Sequence, residues 1–125
     1  MIYEVELEPE VESWLDTLPI QHFAAVDRIV GRLAKEATTL DHPYTSHLGG
    51  KTRELRFRLG RDTCRISYWL APRRRVVLLT VFRKTKGAEA SEVKRATDAQ
   101  KECERRHLEA AAHEYSRNIT EGEQS

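Results

Sequence analysis

The heptapeptide VVLLTVF, residues 76–82, constrains the fold more than any other stretch. Read as a strand it is apolar on both faces, so it asks for a place in the middle of a sheet. It is also far too short to cross a bilayer. Two strand patterns precede it. Residues 52–59 alternate Arg53, Leu55, Phe57 and Leu59 against Glu54, Arg56 and Arg58. Residues 63–70 alternate Cys64, Ile66, Tyr68 and Leu70 against Arg65, Ser67 and Trp69. GRD makes a tight hairpin turn between them, and APRRR turns the chain into the apolar strand.

The N-terminal half supplies one more strand and two helices. MIYEVEL alternates as a half-exposed strand. EPEVESWLDTL opens with Pro9 where a first helical turn tolerates it, carries acids in that turn, and repeats Val11, Trp14, Leu15 and Leu18 at helical spacing. Pro19 breaks this helix. A second helix, 21–38, carries the stripe Phe23, Val26, Ile29, Val30, Leu33 and Ala37. TTLDHPYTSHLGGK reads as a loop of turn formers. A third helix starts near Ser91 and runs to about Tyr115, with Val93, Ala96, Ala99, Cys103 and His107 spaced to dock part of it. The expected fold class is α+β, in the order β-α-α-β-β-β-α: a small antiparallel sheet with a helical hairpin on one face and a C-terminal helix. Residues 1–115 form one domain and 116–125 read as a disordered tail. Helices cover one face of the sheet, and the opposite face carries Arg56, Arg58 and Arg65.

Charge supplies the functional signal. The net charge of +1 conceals three unequal parts. Residues 1–50 carry 3 basic and 9 acidic groups, residues 51–86 carry 12 and 2, and residues 87–125 carry 6 and 9. A middle third at net +10 calls for an anionic partner, nucleic acid first. Mean hydropathy is −0.64 and the N-terminus is acidic where a signal peptide would be basic and then apolar, so a cytoplasmic, membrane-free protein is expected. Cys64 and Cys103 fit no disulfide framework, and Cys103 with His107 is too few ligands for zinc. No metal and no other cofactor is expected.

Arginines on neighbouring strands suit phosphate, because a guanidinium stays charged and grips oxygens in a planar fork. RNA brings its own nucleophile, the 2′-hydroxyl, and the chain offers no carboxylate cluster for two-metal hydrolysis. Metal-free strand cleavage is the chemistry such a surface serves. His42 and His47, in the loop before residue 52, are the nearest groups that titrate near neutrality, and His47 is the candidate acid or base. Tyr68 or Trp69 offers a ring for stacking on a base.

The stretches HLGGKTRELRFRLGRDTCRISYW and RRVVLLTVFRKTKGAEASEVKRA resemble the HigB/RelE superfamily of toxins, in its phage-derived HigB-like branch. The resemblance rests on Leu55 with Arg56, on Arg65, Ile66 and Tyr68, on Leu78, Leu79, Phe82, Arg83, Lys84 and Thr85, and on a following helix with Glu92 and Ala96. It covers about residues 1–107. It implies a RelE-like microbial RNase fold and a type II toxin–antitoxin toxin that cleaves mRNA on the ribosome. A cognate antitoxin, expected to be a helix-turn-helix protein encoded next door, would neutralise it. Carried over by position, Arg65 and Arg83 would hold and polarise the scissile phosphate, with Arg56 and Lys84 completing the catalytic set. Lys51, Arg53, Arg58, Arg61 and Lys86 would bind flanking RNA. Two alternatives stay open: a ParE-like gyrase inhibitor of the same fold, and a non-catalytic RNA-binding module.

Overall fold

The apolar stretch at 76–82 lies where its two faces require, inside an interior strand. The computed structural model describes residues 2–83 and 89–124, with the side chains of the last helix described as far as residue 110. Its elements are β1 (Glu4–Leu7), α1 (Pro9–Asp16), α2 (Ile20–Lys35), β2 (Thr45–Gly49), β3 (Thr52–Leu59), β4 (Asp62–Ala71), β5 (Arg75–Arg83) and α3 (Glu89–Gln124). The five strands lie in the order β1-β5-β4-β3-β2, so β5 sits between β1 and β4.

The α+β class holds, with differences in detail. The stretch expected as a loop contains β2. TSHLG has no apolar alternation to announce a strand, and it becomes one by pairing its backbone with the open edge of β3, Thr45 opposite Leu55 and His47 opposite Arg53. The sheet is mixed rather than antiparallel, because β1 joins the free edge of β5 in parallel register, Val5 level with Val76 and Leu7 with Leu78. The third helix runs past residue 115 to Gln124, through the segment expected as a tail.

Both faces of the sheet are covered. The α1–α2 hairpin buries Val11, Val26 and Leu33 against Leu55, Ile66, Tyr68, Val76 and Leu78. On the other face α3 lays Ala99 and Cys103 over Trp69, Ala71, Val77 and Leu79. That second cover corrects the expectation of an open arginine face. It arises because Trp69, Val77 and Leu79 give this face an apolar end that needs burial.

Pro9 takes the first helical position of α1, with Glu10 and Glu12 in its opening turn. Glu10 has a second task. Beyond the end of β1 the edge of β5 is unpaired, and the Val81 N–H donates to Glu10 at 2.8 Å. Arg95 of α3 donates to the Val81 carbonyl at 3.1 Å and pairs with Glu10, so side chains close the exposed edge.

Candidate functional site

Strand register decides which basic residues can act together. Across the sheet Arg56, Arg65 and Phe82 form one row, and Phe57, Cys64 and Arg83 form the next. Side chains in one row share a face, and adjacent rows point to opposite faces. Arg56 and Arg65 therefore share the α3 face, while Arg83 points to the face of the α1–α2 hairpin. A bulge causes the split. Pairing slips between Ser67 and Tyr68, which face Thr80 and Leu78. Strict alternation from Val77 and Leu79 would carry Arg83 to the α3 face; the bulge flips every later residue of β5.

Arg65 does not lie on a ligand-facing surface. Its side chain is 5% exposed, and Nη1 lies 2.7 Å from Glu89 of α3 and 3.5 Å from Glu54 of β3. Phe82 lies under the guanidinium, 5.7 Å from ring centroid to Cζ. A buried cation needs such partners, and the pair Glu54 and Glu89 provides them. Arg53 is also committed internally, to Tyr68 Oη at 3.3 Å and Thr45 Oγ1 at 3.2 Å. Lys51 pairs with Glu104 of α3. His47 Nε2 lies 2.8 Å from the Gly50 carbonyl, in the turn between β2 and β3. These last three sit at the end of the sheet that also carries the Pro72–Arg75 turn. Lys84 and Lys86 lie outside the described residues.

The opposite end, at the β3–β4 hairpin, gathers the exposed arginines. Gly60 has φ +61°, the left-handed conformation that closes the turn. Arg58 and Arg61 are exposed and, among the described residues, meet no carboxylate. Arg83 is 66% exposed beside Asp62 at 3.3 Å. Arg56 is 31% exposed and stands 3.8 Å from Glu54. Arg58, Arg61 and Arg83 thus wrap one tip from three directions, with Arg56 a row behind.

Two further residues stand at this end, His22, which its helical position marks as structural or exposed, and Tyr44. His22, in the first turn of α2, points at the hairpin: a Cβ built on Gly60 would lie 4.0 Å from its Nε2. Its place on a helix gave no hint, because the approach is set by tertiary packing alone. Tyr44 is exposed just before β2, and its carbonyl accepts the Arg56 N–H at 2.8 Å. The rings expected to stack, Tyr68 and Trp69, are both buried.

Elsewhere the chemistry is quiet. An open cleft of about 650 Å³ between the Pro72–Arg75 turn and α3 is lined by Trp69, Arg73, Arg75, Glu104 and His107 and holds none of the expected site residues. Cys64 and Cys103 are buried, and burial pushes both thiols up. Among the described residues no group of three or more His, Cys, Asp or Glu is placed to hold a metal. No helix among them is long and apolar enough to cross a membrane.

Residues 13–101 match the family model described as Phage derived protein Gp49-like (DUF891). Among solved structures, the chain is similar to a chain of the toxin–antitoxin complex RelBE2 from Mycobacterium tuberculosis. Identity is 22% over 67% of this chain and 100% of that one, with a TM-score of 0.52. The free E. coli toxin RelE, in an arginine-to-alanine mutant form, gives a TM-score of 0.55 at 16% identity, over 82% of this chain and 98% of that one. The intact E. coli RelBE complex gives 0.51 at 8% identity, over 67% and 99%. At such identities the likeness is one of fold, and the fold is RelE-like. No curated protein matches.

Proposed function

The chain belongs to the Gp49-like family of phage-derived proteins, and from that premise we propose that it is the toxin of a toxin–antitoxin pair and cleaves mRNA on the ribosome, in the cytoplasm, without a metal. The observation that carries the reading is the tip formed by Arg58, Arg61 and Arg83, where exposed guanidinium groups outnumber the one carboxylate, Asp62. Solved proteins of this fold include RelE, a toxin, and RelBE, a toxin–antitoxin complex, which supports an antitoxin as partner.

The chemistry needs little beyond charge and position. The RNA 2′-oxygen attacks the adjacent phosphorus in line, the bond from phosphorus to the 5′-oxygen breaks, and a cyclic phosphate forms. Negative charge grows on the non-bridging oxygens, and arginines fixed on strands stabilise it there. The 2′-hydroxyl proton needs an acceptor and the leaving 5′-oxygen a donor. His22 is the imidazole next to the tip and takes the acceptor role in place of His47, while water protonates the leaving 5′-oxygen. Arg65 acts at one remove: as an interior ion pair it holds Glu54, which in turn faces Arg56.

The test is purified protein with translating ribosomes, reading mRNA cuts by primer extension. Arg58→Ala with Arg83→Ala should lower cutting by about 10²-fold or more, and His22→Ala by about 10²-fold. Undiminished cutting in the arginine pair would sink the site. A second reading has an observation in its favour: Arg56, Arg65 and Arg83 each face a carboxylate of the same chain. A non-cutting toxin that binds gyrase would tolerate that pairing. Inhibition of gyrase supercoiling with intact mRNA would favour it.

A further inference from the structure

With Tyr68 and Trp69 sealed in the interior, the exposed rings towards the arginine tip are Phe23 and Tyr44, and Tyr44, 38% exposed, is the one hydrogen-bonded through its backbone to an arginine of the sheet. Its position is fixed from three sides. The Tyr44 N–H donates to the Asp41 carbonyl at 3.0 Å, and its carbonyl accepts the Arg56 N–H at 2.8 Å. The Arg32 guanidinium lies over the ring, with Cζ 4.4 Å from the centroid. Arg32 is itself held by Glu36 at 2.9 Å. An exposed tyrosine free to swing would lose rotamer entropy on meeting a ligand; this one is already held.

We propose that Tyr44 is the stacking platform for an unpaired base of the RNA, taken from a nucleotide whose phosphate sits on Arg56. The inference rests on the RNA reading above. A guanidinium over one side of a ring leaves the other side for a flat π-system, and a nucleobase is the π-system that arrives together with a phosphate. The hydrogen bond from the Arg56 N–H to the Tyr44 carbonyl sets the two backbones on neighbouring segments at the edge of the sheet, about 5 Å apart, so a nucleotide that reaches both side chains lies across that edge. Arg58 follows Arg56 by two residues on the same face, so the next phosphate along the strand has a partner too. A lone ring reads no base edge. It selects for bases that are free to leave a helix, and so for single-stranded RNA, with little preference among the four bases.

Fluorescence anisotropy with a short fluorescein-labelled single-stranded oligoribonucleotide tests this. Tyr44→Leu should weaken binding about ten- to a hundredfold, and Tyr44→Trp should stay within about threefold of the parent. Thermal melting reports whether either variant has lost its fold. A second arm leaves the protein untouched: abasic sites are placed at each position of the probe in turn. One position should lose as much affinity as Tyr44→Leu costs, and in the Leu variant that position should lose nothing further. Full affinity in Tyr44→Leu, or an abasic scan identical in parent and variant, overturns the platform while leaving the RNA reading intact. An unmodified protein that does not bind the probe overturns the platform, and the cutting assay on translating ribosomes then decides the RNA reading separately.

Discussion

Two arginines of one sequence segment, Arg65 and Arg58, have opposite fates, and burial separates them. Arg65 is interior, wedged between Glu54 and Glu89. Removing one member of a buried ion pair strands the other, which costs about 3–5 kcal/mol. Arg65→Ala should therefore lower stability by that amount in urea denaturation. Replacing Arg65 by Met and Glu54 by Leu together should recover most of it, since a well-packed apolar pair can substitute for a buried ionic one. Arg58 is exposed and unpaired among the described residues, so Arg58→Ala should change stability by no more than about 0.5 kcal/mol while it lowers RNA cutting. If Arg65→Ala melts like the parent, the interior pair is not what holds that seam. The sequence made the concentration of basic residues plain and hid their division of labour. Arg56 and Arg65 look alike by alternation, and only α3 distinguishes them. The face of Arg83 is hidden for a different reason, since a bulge of one residue in β5 leaves no mark in a run of Val, Leu and Thr.

Elements fared unequally according to where their stability comes from. The strands β3, β4 and β5 and the helices α1 and α2 announce themselves because each buries its own apolar face. β2 does not, since it is held by backbone pairing at a sheet edge. The docking stripe of α3 was legible at Ala96, Ala99 and Cys103, but not which face of the sheet it covers. Three buried polar atoms in that seam, on Thr52, Arg65 and Gln100, find no hydrogen-bond partner among the described residues. Each orphan costs about 1–3 kcal/mol, so the α3 seam should be the weaker of the two helix–sheet contacts. Amides near Ala96 and Gln100 should exchange with deuterium faster than those near Val26 and Leu33. The turns make a sharper comparison. Arg73 and Arg74 both have positive φ, at 65° and 55°, where non-glycine residues are strained by about 1–2 kcal/mol each. Arg73→Asn with Arg74→Gly should raise the urea midpoint. Gly60→Ala, at φ +61°, should lower the midpoint through a loss of about 1 kcal/mol of stability. Shifts of the same sign in both would refute the backbone argument.

At the scale of the whole molecule, two ion pairs among the described residues join the flanking thirds. Glu10 meets Arg95, and Glu8 meets Arg106 at 3.0 Å, tying the N-terminal segment to α3. Arg75 meets Glu6 at 3.1 Å at the far end of the sheet. At the hairpin tip Arg58 and Arg61 meet no carboxylate among the described residues. Two consequences differ in their variable. The first is pH. Burial raises the thiol of Cys64 and that of Cys103. A group raised in the folded state stabilises fully below its unfolded value and loses that contribution as pH rises through the folded one. Stability should thus fall as pH climbs past about 8.5, and Cys64→Ala with Cys103→Ala should flatten that limb of the curve. The second is salt. Each phosphate neutralised on a single strand contributes about −0.7 to the slope of log affinity against log salt. Engagement of Arg56, Arg58, Arg61 and Arg83 implies a slope near −3, within the rough reach of that rule. Removing Arg58 and Arg61 should take about 1.4 units from its magnitude, whereas Glu10→Gln with Arg95→Gln should leave the slope alone, because that pair stands on another edge of the sheet. A slope indifferent to Arg58 and Arg61 would mean that the anion, if bound, is held somewhere other than the tip.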